Sequence, residues 1–154
     1  MESVNNYIVF KERPIPLYPS YRPMYKVSLI LLILSINGYA GKATLLKLHL
    51  FSWALKSHKN IDALKDFVVS NYRKDLKFFG IELTLNRALN LAIAEKLISF
   101  NDDKYFLLDK GSEFAKYIIE SPELFIYEKQ ILKVIGKKIT DEKMNALLKY
   151  WKNA

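Results

Sequence analysis

Two asparagines and one arginine share a face of the predicted helix TLNRALNLAIAEKL, residues 84–97. Apolar side chains recur there at the helical spacing of a buried stripe, at Leu85, Ala88, Leu89, Ala92 and Ile93. The opposite face carries Asn86, Arg87, Asn90, Leu91, Ala94 and Glu95. Asparagine can form two hydrogen bonds with adenine and arginine two with guanine, so Asn86, Arg87 and Asn90 are candidate base-reading residues. Glu95 would repel phosphates, however, and an exposed Leu91 favours contact with a protein.

Positive charge is concentrated in the first part of the chain. The 154-residue sequence has a net charge of +8, and Arg13 to Ile61 contains seven Lys or Arg residues and no acidic residue. Such a field attracts nucleic acid or an acidic protein surface, although it is equally typical of a soluble lysine-rich surface. The side chains predicted to contact phosphates are Lys42, Lys47, Lys56 and Lys59, with Arg87 and Lys104 secondary.

The sequence contains no pattern typical of catalysis or of metal binding. His49 and His58 are the only histidines, cysteine is absent, and no paired acids accompany either histidine, so His49 is expected to be a polar group of the core or of an interface. Asp102 and Asp103 are interpreted as a solvated turn. No glycine-rich phosphate loop and no Ser, His and Asp in a recognised order are present. We expect a non-enzymatic protein without metal or cofactor.

The segment from Val27 to Ile36 is apolar throughout but has only ten residues. A membrane-spanning helix needs about 20, so this segment predicts a buried helix. Without cysteines or a cleavable signal sequence, the expected compartment is the cytoplasm.

Residues 1–24 are predicted to form an extended arm. Four of the five prolines lie between Pro14 and Pro23, and proline disfavours a packed helix there. The aromatic residues of the arm could cover the chain's own core or bind a protein partner, and they are Tyr7, Phe10, Tyr18 and Tyr21.

Three helices are predicted after the arm, at Tyr25 to Ile36, within KATLLKLHLFSWALKS (residues 42–57), and at Ile61 to Tyr72. The second is apolar on nearly every side, so it should be buried on nearly every side. A small domain offers few such positions, and the side that carries Trp53 is a candidate contact for another chain.

A β-hairpin is predicted from Leu97 to Leu108, because two apolar runs flank the turn-forming residues 101–104. Asp109 then occupies the expected N-cap of a further helix.

Near the C-terminus, a basic stripe that should face solvent is formed by Lys129, Lys133 and Lys137. Thr140 is the expected N-cap of a last helix, whose apolar stripe is Met144, Leu147, Leu148 and Trp151.

Residues 81–118, IELTLNRALNLAIAEKLISFNDDKYFLLDKGSEFAKYI, resemble the recognition helix, wing and following helix of bacterial winged-helix proteins. The usual Leu-Thr-x-x-Gly phrase after the wing is replaced by Leu108, Asp109, Lys110 and Gly111. The resemblance implies a mainly α winged helix-turn-helix fold with one hairpin wing. It would occupy residues 25–120, with C-terminal helices in residues 121–154 packed on the same domain.

Residues 29–57, LILLILSINGYAGKATLLKLHLFSWALKS, resemble the small middle component of ABC-three-component defence systems, the group that includes Lamassu-type systems. Together with the Asn-Arg-Ala-Leu helix and the wing, the similarity covers roughly Tyr25 to Ile119. This resemblance implies a non-catalytic adaptor that joins an SMC-like or Rad50-like ATPase to an effector, often a nuclease, and helps to sense invading DNA. The alternative is a dimeric winged-helix transcriptional regulator. The large apolar content favours a partner, with contacts through the arm, Trp53 and Leu91, and with only weak, non-specific DNA binding.

Overall fold

The computed structural model describes residues 23–70 and 82–145, so the arm residues 1–22 and the predicted stripe residues Leu147, Leu148 and Trp151 lie outside the described ranges. The helices are α1 (Pro23–Ile36), α2 (Leu45–Ala54), α3 (His58–Val69), α4 (Leu83–Ala94), α5 (Asp109–Glu120) and α6 (Ile126–Ile135). The strands are β1 (Lys42–Thr44), β2 (Ile98–Asn101) and β3 (Lys104–Leu107), and residues 141–145 are again helical. The prediction of a mainly helical chain with one hairpin is confirmed.

Helix α1 lies at the centre of the core and packs against α4 and α5. Its apolar run has no polar face, and every side chain from Val27 to Leu34 is buried, which confirms the predicted buried helix. The helix begins at Pro23, two residues before the predicted start, because proline is tolerated in the first turn. It ends before Gly38, where a Cβ atom would lie 2.5 Å from the Leu34 carbonyl oxygen.

The sheet contains a third strand that the sequence analysis did not predict. Residues 42–44 were assigned to the start of a helix, but β1 pairs antiparallel with β3, with Ala43 opposite Tyr105, in the strand order β1-β3-β2. Three residues are too few to show strand alternation. The pairing partner lies far along the chain, so the strand forms only in the folded protein.

Helices α2 and α3 begin at side-chain caps. The Thr44 hydroxyl accepts a hydrogen bond from the Lys47 backbone N–H, and the Ser57 hydroxyl accepts one from the Asn60 N–H. Because Ser57 caps α3, this helix starts at His58, three residues before the predicted start, and its predicted end at Tyr72 lies outside the described residues. Helix α2 is largely covered by the chain itself, as predicted.

Helix α4 leads through a short turn into the β2–β3 hairpin. The predicted stripe is buried apart from Ile93, which is 39% exposed. At the hairpin tip, Asp102 and Asp103 have positive φ angles of 52° and 61°, as a two-residue type I′ turn requires. Leu108, not Asp109, occupies the N-cap of α5; Asp109 lies in the first turn, where the helix dipole still favours an acid.

The C-terminal elements join the same core through Leu132, Ile135, Ile139 and Met144. Asn37, at the end of α1, donates from Nδ2 to the carbonyl oxygens of Leu132 and Gly136, at 3.0 and 2.7 Å. Thr140 caps residues 141–145 by accepting from the Lys143 N–H, which confirms the predicted N-cap. Among the described residues, no helix has the length and apolarity needed to cross a membrane.

Candidate functional site

The first turn of α4 is held to α1 and α2 by a group of polar side chains, which we call the Glu82 cluster: the buried Lys26 and Ser52, the half-buried Glu82 and the more exposed Lys56. Glu82 immediately precedes α4, and its Oε1 lies 2.7 Å from Lys26 Nζ, while its Oε2 pairs with Lys56 Nζ. Ser52 donates to Glu82 Oε1 at 3.1 Å and accepts from Lys26 Nζ at 2.7 Å. The cluster therefore sets where α4 begins relative to the core.

The charges of the Glu82 cluster are mutually stabilised. Burial alone would raise the pKa of Glu82, but hydrogen bonds and charge interactions with Lys26 and Lys56 lower it to about 2. Burial also lowers the pKa of Lys26, which is only 1% exposed, and the Glu82 carboxylate opposes that shift. Glu82 stays ionised near neutral pH, so its arrangement suits anchoring and not proton transfer.

His49 is a polar group of the core beside this cluster, which confirms the core alternative of the sequence analysis. Its Nδ1 accepts a hydrogen bond from the Glu82 backbone N–H at 3.4 Å. Burial lowers its pKa, and Asn86 and Glu82 oppose the shift. His58 lies elsewhere, with its Nδ1 3.1 Å from the Tyr127 hydroxyl. Within residues 23–70 and 82–145, no group of three His, Asp or Glu side chains is placed to hold a metal ion.

The predicted base-reading residues of α4 differ in how far they are exposed. Arg87 and Asn90 are exposed, whereas Asn86 is half-buried near His49. Glu95 is exposed at the end of the helix, and its carboxylate lies 3.9 Å from Lys110 Nζ. The accessible face of α4 thus carries one cation, Arg87, and the helix is followed by an exposed carboxylate, Glu95, and an exposed cation, Lys96.

The lysines predicted to contact phosphates do not form one surface. Lys47 is only 3% exposed, so its assignment to an exposed DNA contact is wrong. Lys56 is paired with Glu82, and Lys104 lies 2.7 Å from Asp141 Oδ2. Lys42 and Lys59 are exposed, and neither makes an ion pair within the described residues.

The predicted partner contacts are also less exposed than expected where the structure describes them. Trp53 and Leu91 are both half-buried and pack against the core. Tyr7, Phe10, Tyr18 and Tyr21 lie outside the described residues. The accessible apolar side chains include Tyr39 before β1, Phe100 in the hairpin, and Phe114 and Tyr117 one turn apart on α5.

Sequence reasoning missed the partners of Lys26 and the burial of Lys129. Lys26 is a lone cation beside the apolar run of α1, a signal that it needs a buried counter-ion. Lys129 was assigned to a solvent-facing stripe, but it is buried and donates to the carbonyl oxygens of Ile118, at 2.9 Å, and of Ser121. It adds a charged donor to carbonyl groups at the end of α5, where the helix supplies few N–H partners; the Ile118 oxygen otherwise accepts only from the Ser121 N–H, at 3.3 Å.

In comparisons with known proteins, no family, curated protein or solved structure matches the sequence.

Proposed function

We propose that the chain is a non-catalytic adaptor with a winged-helix fold, the subunit that joins an SMC-like ATPase to an effector in a defence complex. The order of helices and hairpin supports the winged-helix part of the proposal. Helix α4 directly precedes the β2–β3 hairpin, in the position of a recognition helix and wing, and β1 completes the sheet beside β3. On this interpretation α3 is an addition between the two helices of the helix-turn-helix.

The observation that carries the adaptor proposal is the distribution of charge on α4 and the hairpin. A duplex reader places several cations beside its reading residues to contact phosphates. Here Arg87 is the only exposed cation among residues 83–94, Lys96 follows the helix beside the exposed Glu95, and the hairpin tip presents Asp102 and Asp103. Lys56 and Lys104 are engaged in ion pairs with Glu82 and Asp141. This surface suits a basic or neutral protein partner better than a phosphate backbone.

Besides the face formed by α4 and the hairpin, we propose that the arm and the exposed aromatic residues of α5 contact the partner. Tyr117 is 68% exposed and Phe114 lies on the adjacent turn. Aromatic residues of this kind are common anchors at protein interfaces. The identity of the partner, an SMC-like ATPase, comes from the resemblance of residues 29–57 to defence-system middle components.

Co-expression with the ATPase encoded beside this chain, followed by affinity purification, tests the proposal. We expect the two proteins to co-purify, and we expect Phe114→Ala with Tyr117→Ala to weaken the complex. Glu113→Ala with Lys116→Ala is the matched control, because these exposed residues lie on the same helix and their loss should leave the complex intact.

If the isolated chain ignores the ATPase, stays soluble without residues 1–21, and binds one DNA sequence as a dimer, the protein is a winged-helix regulator and the adaptor proposal fails.

A further inference from the structure

The outer face of the sheet carries two aromatic residues with a lysine between them, and we call these residues the Tyr39 row: Tyr39, Lys42 and Phe106. Lys42 in β1 lies directly opposite the half-buried Phe106 in β3, and on its other side it forms an antiparallel bridge with Tyr39. Residues directly opposite one another in antiparallel pairs project to the same face, with Cβ atoms about 5 Å apart. The lysine therefore has an aromatic neighbour on each side.

The turn between α1 and β1 exposes the first ring of the row. The Lys42 N–H donates to the Tyr39 carbonyl oxygen at 3.1 Å, and Ala40 and Gly41 have φ angles of 53° and 75°, as a type I′ turn requires. Ala43, the next residue of β1, is fully buried, so Lys42 projects from the opposite, outer face of the strand. As a result Lys42 is exposed and Tyr39 is 80% exposed.

The surroundings of the row are slightly basic. Tyr39 and Lys137 line the same cavity, so a second cation lies beside the row. Neither Lys42 nor Lys137 makes an ion pair within the part of the chain that the structure describes. Asp141 and Glu142 line that cavity as well, but Asp141 is already paired with a lysine of β3. Two lysines and one exposed carboxylate, Glu142, leave a small excess of positive charge around Tyr39.

We propose that the Tyr39 row binds a short single-stranded segment of DNA, with one base stacked on Tyr39, a second against Phe106, and the adjoining phosphates near Lys42 and Lys137. Stacking of a base on an aromatic ring tolerates any sequence, because every base has a flat face. Lys42 and Phe106 offer no acceptor for the ribose 2′-hydroxyl by which proteins select RNA. The proposal goes beyond the adaptor function and is independent of it, since it uses neither α4, nor the hairpin tip, nor α5.

The exposed ring favours a single strand over a duplex. The bases of a duplex are stacked on one another, so their faces are not available to Tyr39, whereas the bases of a single strand are. A duplex reader also places several cations against the phosphates, and here Lys42 and Lys137 supply two. An acidic protein segment would be attracted to the same lysines, but its binding would not require the aromatic ring.

Fluorescence anisotropy of a labelled DNA strand of about 12 nucleotides, titrated with the full-length chain at constant ionic strength, tests the proposal. We expect saturable binding of the strand and weaker binding of the same sequence as a duplex. An abasic strand of equal length keeps the phosphates without the bases, and polyglutamate supplies negative charge alone. Both should bind at least about fivefold more weakly than the strand. RNA of the same sequence should bind no more tightly than the DNA.

Tyr39→Ala should weaken strand binding at least about fivefold, because one base loses its stacking partner. Tyr39→Phe keeps the ring and should bind as tightly as the unchanged chain. Tyr117→Ala is the matched control, since Tyr117 is also largely exposed but lies on α5, and strand binding should be unchanged. Lys42→Gln should reduce the slope of log affinity against log salt by about 0.7, the value for one phosphate contact with a single strand. Because Tyr39 and Lys42 are exposed, circular dichroism should show an unchanged fold in each variant.

The proposal is overturned if the strand does not bind, if Tyr39→Ala binds it unchanged, or if the duplex or the RNA binds more tightly. Equal binding of the abasic strand or of polyglutamate would also overturn it, and would indicate an acidic protein partner instead. None of these measurements involves the ATPase, so this proposal and the adaptor proposal can fail separately.

Discussion

Lys26 Nζ lies 2.7 Å from Glu82 Oε1, although one residue belongs to α1 and the other immediately precedes α4. Both groups are largely withdrawn from solvent, and Lys56 and Ser52 of the α2 region complete the hydrogen bonding of the carboxylate. The contact ties the start of α4 to the centre of the core. A helix anchored in this way presents its outer face in a defined orientation to any partner.

Replacing Glu82 by Gln should lower the free energy of unfolding by about 2–3 kcal/mol, because the Lys26 ammonium is left buried without a counter-ion. Urea unfolding measures the change. Glu95→Gln is the control, since that carboxylate is exposed and 3.9 Å from Lys110, and it should change stability by no more than about 0.5 kcal/mol. Equal effects of the two substitutions would show that the Lys26–Glu82 pair is not a structural anchor.

Stability should fall in acid in two stages. Burial lowers the pKa of His49 from its ordinary 6.5, so the unfolded chain binds the proton more tightly and stability declines as the pH falls below that value. The pKa of Glu82 is lowered from 4.5 to about 2, so its contribution is complete above pH 4.5 and is lost as the pH falls towards 2. The free energy of unfolding, measured against pH, should lack the upper stage of the decline in His49→Gln and the lower stage in Glu82→Gln. An unchanged profile in both variants would contradict the assignment.

Gly111→Ala should destabilise the protein by about 1–3 kcal/mol, although alanine normally favours a helix. A Cβ atom at this position would lie 2.0 Å from the Leu97 carbonyl oxygen, because α5 packs directly on the backbone where the hairpin begins. Ser112→Ala, at the next and exposed position, should be neutral or slightly stabilising. If this packing is correct, thermal unfolding shows a lower midpoint for Gly111→Ala and an unchanged or slightly higher midpoint for Ser112→Ala.

Lys129→Met should cost about 1.5–3 kcal/mol, because the charged amine donates to carbonyl groups at the end of α5. Lys133→Met, one turn further along α6 and exposed, should have little effect. Chemical denaturation of the pair measures the difference, and similar losses for both variants would argue against the capping role of Lys129.

Any binding of duplex DNA should depend on the exposed cations alone. Lys42→Glu and Lys59→Glu should each reduce the slope of log affinity against log salt by about 0.9, because each removes one lysine contact with a phosphate. Lys47→Met should leave that slope unchanged, because Lys47 is buried. A fluorescence titration of duplex DNA over a range of salt concentrations checks this, and loss of the slope in Lys47→Met would contradict the structure.

The sequence alone was sufficient for features that depend on neighbouring residues. The stripe of α4, the buried run of α1, the hairpin turn at Asp102 and Asp103, and the Thr140 cap were predicted correctly, apart from ends that differ by a few residues. Each rests on periodicity, capping or turn chemistry within about one or two turns of chain, and these signals do not need the rest of the fold.

Only the tertiary structure decided which charged side chains remain accessible. Lys47, Lys129 and Lys42 are the same residue type, yet the first two are buried and the third is exposed. Periodicity indicates which face of a helix is polar, but not which distant element covers it. The Lys26–Glu82 pair and strand β1 were missed for the same reason, since each depends on residues that are far apart in the chain and meet only when the core forms.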